Sequence, residues 1–478
     1  MGKCRRSSRL LRGMRAQGVD RMTGGRYNTD DERKGLYDMD AQADTARAAY
    51  YVIPENTFSD GADAEAVIAS ALAAHGAVRI PRLAEPVRLA RPIALQSGMA
   101  LSVHPETVMR MKPGCGGCMV RNAHLLDGCV GPMTGPRDSD ILVEGGVWED
   151  ALRDGAPDDD DPTLRRFLAG RLLVGVIFFA GADRVTVRGA TIRRCEEYGV
   201  LLAGCNDFTV RDIAFEDQKK DGLHVNGPSE RGVVEHIHGQ CGDDILALNA
   251  WDWETSAVSF GPIRDIAARD VRCAGGEIRL LPGRKTYPDG EQVACPVERC
   301  SFSDIEGVYT FKLYQQPNCH NATRAVPDRS DIPGQIADVR FERVRLDGVV
   351  ESGFGEVRPQ GLFEVGADCR NLAICDVTLG FSSAVYASRG EALVSVGPKS
   401  STWKQGFEDP AKWAELFEPD LVCTAENVSF SHIRFADGPC EDEALLIKAR
   451  RLTVNEDYPR TTPRGGTGYG VIRGVSII

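Results

Sequence analysis

Three aspartates stand in two neighbouring segments of similar sequence. Asp221 opens the segment DGLHVNG, and the pair Asp243 and Asp244 opens DDILALNA. Superposing the two segments places Asp221 on Asp244. In a protein built of stacked coils, a shift of one repeat sets equivalent residues one above the other, with strands about 4.8 Å apart. The three carboxyl groups would then crowd one patch of surface, so at least one pKa should rise. Such an arrangement places a general acid and a general base side by side.

Other polar residues follow the same register. The superposition places Asn226 on Asn249, which predicts an asparagine ladder rather than a pair that binds a ligand. His224 follows Leu223, which we expect to face inward, so His224 should point outward near Asp244. There it would either contact a substrate or simply be exposed.

A repeated pattern of four residues predicts the element that positions these side chains. It consists of an apolar residue, two polar residues and a second apolar residue, as in Val210–Ile213 and Val234–Ile237. The interval from Val187 to Val210 is nearly the same as that from Val210 to Val234. A repeat of roughly 20–30 residues with no helical period inside it indicates a right-handed parallel β-helix with three short strands in each coil. An antiparallel sandwich or a propeller is the alternative, but a propeller repeat is about 40 residues long.

The sequence divides into four predicted regions. Residues 1–49 are read as a disordered basic tail, or as sequence ahead of a later true start. Residues 50–92 are predicted to form an N-terminal cap, with one short amphipathic helix that ends before Gly76 and a strand that ends at Pro81. The β-helix is predicted over residues 93–450, and residues 451–478 are expected to form a C-terminal tail or cap. The fold class is therefore all-β with a short capping helix.

Composition narrows the classes of function. The chain has 478 residues, 42% of them hydrophobic, and a net charge of -12 at pH 7. This acidic balance argues against nucleic acid as a partner, because phosphate binding needs a basic surface. No apolar run of about 18 residues is present to span a membrane. The opening segment MGKCRRSSRLLRGMRAQGVD is basic but lacks the apolar stretch of a secretory signal, so we expect a cytoplasmic protein.

Two stretches of the sequence resemble a known family. DGLHV at 221–225, followed one coil later by GDDILAL at 242–248, resembles the polygalacturonase family of glycoside hydrolases (family 28). The stretch at 58–81 also resembles the cap and first strand of pectin-active β-helix proteins. The resemblance covers roughly residues 53–315. It implies a carbohydrate substrate, an α-linked and uronic-acid-containing or related oligosaccharide or polysaccharide, and no metal or other cofactor.

The resemblance also implies roles for the three aspartates. Asp243 would be the general acid, and Asp221 and Asp244 would activate the attacking water. Hydrolysis with inversion needs an acid at the leaving oxygen and a base on the opposite face, with the carboxyl groups about 6.5–9.5 Å apart. We expect adjacent coils to offer such a separation.

The chain departs from the family pattern at the residues that bind the sugar. The family ends its site with Arg-Ile-Lys, where this chain has Thr310, Phe311 and Lys312. The lysine is kept and the arginine is lost, so the fork that grips a sugar carboxylate is incomplete. Arg279 or Arg284 could supply a substitute guanidinium.

Two further motifs of the family also differ. The family reads Asn-Thr-Asp where this chain has two lysines before Asp221, and it carries Gly-His-Gly where this chain has Glu277. Trp251 and Trp253 open the insertion after the second motif. Exposed aromatic rings beside a carboxylate cluster suit stacking on sugar faces, and packing within the loop is the alternative.

Two other functions remain open from the sequence. A polysaccharide lyase on the same fold would use a basic residue such as Lys312 to remove a proton from the sugar, often with calcium. A carbohydrate-binding or tailspike-like β-helix would have no turnover. The three aspartates favour an enzyme over this last alternative.

Overall fold

The computed structural model describes residues 50–58, 63–115, 118–125, 135–150, 152, 175–252, 257–287, 290–314, 334–351, 359–397, 422–450 and 469–478. The predicted tail at 1–49 lies outside the described residues. Residues Tyr50–Ile478 belong to one compact unit.

Parallel strands dominate this unit and stack into a right-handed parallel β-helix, as the repeat predicts. Val187 pairs with Val210, and Val210 pairs with Val234 in the next coil. All three side chains are fully buried. They form one interior column, and the same column continues through later coils as Phe302, Phe341, Ile374 and Phe430. Stacked apolar side chains of this kind supply the core of a solenoid.

The described strands fall into two large sheets and two small ones. The first sheet contains Tyr51–Val52, Ala77–Ile80, Val87–Leu89, Ala100–Met111, Leu142–Glu149, Thr186–Arg188, Thr191–Arg193, Thr209–Gln218, Ser229–Cys241, Ile263–Cys273, Val297–Glu298, Ser301–Glu306, Gln335–Leu346, Asp368–Leu379, Val422–Phe435, Gly438–Pro439 and Tyr469–Ile477. The second sheet, called the site sheet below, contains Ile93–Leu95, Val120–Asn122, Gly175–Ala180, Tyr198–Ala203, Leu223–Asn226, Asp244–Asn249, Glu277–Leu281, Thr310–Tyr314, Phe363–Gly366, Val394–Val396 and Ile447–Ala449. The small pairs are Asp138–Ser139 with Ala182–Asp183, and Gly283–Thr286 with Gln292–Cys295.

Left-handed residues bend most long strands of the first sheet and explain the four-residue pattern. In Val210–Ile213 the third residue, Asp212, has φ +57°, and His236 occupies the equivalent position with φ +51°. The bend lets apolar residues three positions apart both face the interior, whereas a straight strand would alternate them. Asp and Asn adopt this conformation more readily than most residues, because their short polar side chains bond locally.

This bend gives a stability prediction. Asp212→Val should lower the free energy of unfolding by roughly 1–2 kcal/mol more than Asp212→Asn, because a β-branched residue resists the left-handed conformation. Both variants remove the negative charge of the Asp212 carboxylate, which lies 2.9 Å from Nδ1 of His236. Urea denaturation of the two variants side by side measures the difference. Equal losses would show that the ion pair, and not the backbone, selects the residue at the bend.

A short helix covers the first coil, as predicted. It spans Ala64–His75, begins at Asp63, whose carboxylate accepts a hydrogen bond from the N–H of Ala66 at 3.0 Å, and ends at Gly76 with φ +71°. Ile68 and Leu72 are fully buried against the first strands. The helix therefore shields the open apolar end of the solenoid.

Two shorter helices, Ala384–Arg389 and Glu443–Leu446, and a single turn at Glu55–Phe58 complete the described elements. At the C-terminal end, Tyr469–Ile477 pairs in parallel with Val422–Phe430 and so adds a strand to the first sheet beyond the predicted boundary at 450. Among the described residues, no helix is both long and apolar enough to cross a membrane.

Candidate functional site

The site sheet brings together the residues that the sequence singled out. Leu223 pairs with Leu246, and His224 pairs with Ala247, which confirms the superposition of the two segments. The N–H of Gly222 donates to the carbonyl oxygen of Asp244 at 2.9 Å, so Asp221 and Asp244 end up on adjacent coils. We call Asp221, Asp243 and Asp244 the aspartate trio.

The members of the aspartate trio are close but differ in exposure. One oxygen from each carboxylate lies within 4.8 Å of the other two. Asp244 is fully buried, the side chain of Asp221 is 5% exposed, and that of Asp243 is 15% exposed. These closest oxygens lie near one another because Asp221 and Asp244 stand on adjacent coils, which stack at the distance of paired strands. Asp243 is the member that a molecule in solvent reaches first.

Arg279 lies directly against the aspartate trio. Its Nε is 2.8 Å from Oδ2 of Asp244, and its Nη2 is 3.4 Å from Oδ1 of Asp243. The side chain is only 6% exposed. It reaches this place because Arg279 pairs with Ala247 in the outward-facing column of the site sheet. Of the two arginines proposed as a substitute fork, Arg279 is in the site, and Arg284 lies on a hairpin and bonds Gln292.

Lys312 and Glu277 form the next layer of the site. Lys312 follows Arg279 in the outward-facing column, and its Nζ contacts the carboxylate of Glu277 and lies 3.8 Å from Oδ1 of Asp244. Glu277 also accepts a hydrogen bond of 2.5 Å from the hydroxyl of Tyr309. Both charged side chains are buried. The predicted substrate contacts Glu277 and Lys312 are thus bonded to each other.

His224 is buried, in contrast to the predicted exposure. Its Nδ1 lies 2.6 Å from Oδ2 of Asp221, and its Nε2 lies 2.9 Å from Oδ2 of Asp252. The ring stacks on Tyr198, with centroids 4.1 Å apart. The exposure prediction was wrong because Asp252, from the following insertion, covers the ring. His224 therefore holds Asp221 in place rather than contacting a substrate.

Asp252 is the member of the site that sequence reasoning missed as a functional residue. Its Oδ2 accepts hydrogen bonds from the amides of Asn226 at 3.4 Å and Asn249 at 3.2 Å, in addition to its contact with His224. Asn226 and Asn249 pair in register, as the predicted ladder requires, but their amides converge on this carboxylate. In the sequence, the only indication of this role was that an aspartate stands three positions after Asn249.

Trp251 does not have the exposed ring that the sequence predicted. Trp251 is 3% exposed and packs in the hydrophobic core, where its ring lies against Gly283. It is therefore a packing residue and not a platform for a sugar. Trp253 lies outside the described residues.

Burial and crowding raise two carboxyl pKa values of the aspartate trio. Burial raises the pKa of Asp244 to about 7, although Arg279 and Lys312 oppose the rise. Burial, and then the charge of Asp243, raises the pKa of Asp221. Asp221 and Asp244 therefore hold a proton more readily than an ordinary aspartate. The predicted rise in at least one pKa is thus present.

The charge of His224 gives a prediction about pH. Burial lowers the pKa of His224, but the hydrogen bonds to Asp221 and Asp252 outweigh it and raise the pKa to about 9. A pKa above the unfolded value of about 6.5 stabilises the fold fully below pH 6.5, and this contribution is lost as the pH rises through 9. Asp252→Asn removes one of the two carboxylates, so it should lower the histidine pKa.

We therefore expect the loss of unfolding free energy in Asp252→Asn to be larger at pH 6 than at pH 9.5. An NMR titration of the His224 ring and urea denaturation at both pH values measure the two effects. An unchanged His224 titration in the variant would mean that Asp252 does not hold the imidazolium.

Comparisons with known proteins match the fold. No protein-family profile and no curated protein matches the chain. Similar solved structures include the catalytic unit of a GH87 α-1,3-glucanase from Streptomyces thermodiastaticus strain HF3-3 (14% identity, TM-score 0.42, 90% of this chain and 69% of that chain covered). A polygalacturonase from Erwinia carotovora ssp. carotovora also matches (14% identity, TM-score 0.33, 71% and 98% covered). So does PfbA, a surface adhesin of Streptococcus pneumoniae (11% identity, TM-score 0.38, 90% and 100% covered).

Glycoside hydrolases stand among these structural neighbours beside an adhesin. At such low identity the function has to be argued from the residues of the site.

Proposed function

We propose that the protein is a glycoside hydrolase that cleaves an α-linked oligosaccharide or polysaccharide at the aspartate trio. The observation that carries this proposal is the trio itself: three carboxyl groups within 4.8 Å, at graded depth, with two raised pKa values. Paired carboxyl groups of unlike protonation are what hydrolysis of a glycosidic bond needs. The α-linkage follows from the resemblance of the two aspartate motifs to the polygalacturonase family.

In this proposal, the role of each aspartate follows from how deeply its side chain is buried. Asp243 is the most exposed member, so it donates a proton to the glycosidic oxygen as the bond from that oxygen to the anomeric carbon breaks. A water oxygen forms the new bond to the anomeric carbon, and its proton passes to Asp221 or Asp244. The pKa of Asp244, near 7, is well matched to a base at neutral pH. Arg279 limits the repulsion between Asp243 and Asp244.

The outcome at the anomeric carbon is inversion in this proposal. The alternative is retention, in which two carboxyl groups about 5–5.5 Å apart are used and a carboxylate attacks the sugar directly. A direct attack requires the carboxylate to touch the anomeric carbon, and Asp244 is fully buried while Asp221 is held by His224. A sugar ring therefore reaches neither carboxylate, whereas the side chain of Asp221 keeps 5% of its surface exposed, enough for a water beside it, so single displacement by water is favoured.

A lyase is the second candidate, and the charge of Lys312 argues against it. Burial lowers the pKa of Lys312, but Tyr314 and the aspartates outweigh this effect and raise the pKa. A charged ammonium cannot remove a proton from a sugar. The described residues thus favour hydrolysis over elimination.

The proposal is tested by digesting a panel of glycans with the purified chain and measuring new reducing ends. We expect reducing ends to appear with at least one α-linked glycan. Binding without turnover across the panel would favour a carbohydrate-binding β-helix instead.

A further inference from the structure

The cations of the site are all neutralised by its own carboxylates. Arg279 contacts Asp244 and Asp243, Lys312 contacts Glu277, and His224 lies between Asp221 and Asp252. Each of the three cations is at least nine-tenths buried. None of them presents its charge to solvent, so binding an acidic sugar through any one of them would require breaking a buried ion pair.

The number of charged groups in the site also argues against the binding of an acidic sugar. Among the described residues, five carboxyl groups and three cations meet here, the carboxyl groups being Asp221, Asp243, Asp244, Asp252 and Glu277. The five carboxyl groups outnumber the three cations, so each cation has a carboxyl group beside it and none is left for a sugar carboxylate. Glu364 pairs with Lys312 in the next coil and is also buried, but it interacts with the nearby cation Arg450, so these two groups together do not change the balance.

We infer that the site takes a neutral glycan and rejects a uronan. This inference rests on the proposed hydrolase function and replaces the uronic-acid expectation drawn from the family. A free uronate would find Arg279, Lys312 and His224 already paired with carboxylates, and desolvating it without a partner is costly. Hydroxyl groups of a neutral sugar can instead donate hydrogen bonds to the carboxylates, which accept readily.

Glu277 is then the residue that sets this specificity. Its carboxylate holds Lys312, and it pairs in register with Asp244. Removing the charge of Glu277 leaves Lys312 able to meet a sugar carboxylate. Glu277→Gln should therefore admit acidic substrates that the natural chain rejects.

The experiment compares acidic substrates with neutral ones, including one polymer in its free and in its methyl-esterified form. Polygalacturonan, its fully methyl-esterified form, and sets of neutral α-glycans and other uronans are incubated with the full chain, and reducing ends are measured. We expect cleavage only within the neutral and esterified set. In Glu277→Gln, the ratio of kcat/KM on acidic to that on neutral oligosaccharides should rise roughly tenfold, the value of one charge-assisted hydrogen bond.

Glu298→Gln is the matched control, because Glu298 pairs with Arg264 on the first sheet at 2.9 Å and should leave the ratio unchanged. Cleavage of free uronans at rates equal to or above those of the neutral set would overturn the inference and leave the hydrolase proposal intact. An unchanged ratio in Glu277→Gln would also overturn it. Absence of cleavage across both sets would instead defeat the proposed function.

Discussion

Asp243→Asn should lower turnover by at least roughly 10²–10⁴-fold while substrate binding survives. Positioned proton transfer alone contributes about this factor, and the alkoxide that leaves without protonation is a poor leaving group. Asparagine has nearly the same shape, and its amide cannot supply the proton. Asp243 stands at the surface of the trio, so this change disturbs little of the buried network. The measurement is kcat on the best substrate of the panel, with calorimetric binding of the same glycan.

Asp265→Asn is the control for this variant. Asp265 is partly exposed, pairs with Arg299 at 2.7 Å, and has φ +57°, a conformation that asparagine tolerates. The Asp265→Asn variant should keep the turnover rate of the natural protein. If Asp243→Asn also kept a near-natural rate, Asp243 would not be the acid, and the trio would be a structural cluster at the turns.

Arg279→Gln should destabilise the fold strongly and more at high pH than at low pH. Arg279 is buried against two carboxylates, and breaking a buried ion pair costs roughly 3–5 kcal/mol because the remaining charge is uncompensated. The pKa of Asp244 is already raised to about 7, so a proton can replace the lost guanidinium in acid. The loss should therefore be largest at pH 8 and much smaller at pH 5.

Urea denaturation at pH 5 and at pH 8 measures the loss of unfolding free energy at each pH. Arg264→Gln, which breaks the ion pair to Glu298 on the first sheet, should show only a small loss at either pH. Equal losses for Arg279→Gln at the two pH values would mean that the carboxylates do not take up a proton when the cation is removed.

The fold was predictable because its signal repeats. The spacing between Val187, Val210 and Val234 matches the register between coils, and these residues share one interior column. The capping helix was also predictable, since Asp63 and Gly76 mark its two ends. The left-handed bend at Asp212 was not foreseen, although it is the physical cause of the four-residue pattern.

The site was predictable only where residues belong to the repeat. Asp221, Asp244 and His224 follow the register of paired coils, and their neighbourhood follows from it. Asp252 and Trp251 belong to an insertion, whose path is set by packing and not by periodicity. That is why the sequence suggested an exposed tryptophan and an exposed histidine, whereas Trp251 fills the core and Asp252 covers His224.

The measurement that tests the central claim most directly is a proton NMR time course of glycan digestion by the full chain. Hydrolysis by the aspartate trio predicts a new signal from a reducing-end anomeric proton, which appears first in the inverted configuration and is lost in Asp243→Asn. A vinylic proton signal at C4 of the product would show elimination and contradict hydrolysis. A new anomeric signal that persisted at the natural rate in Asp243→Asn would contradict the assignment of the trio as the catalytic site.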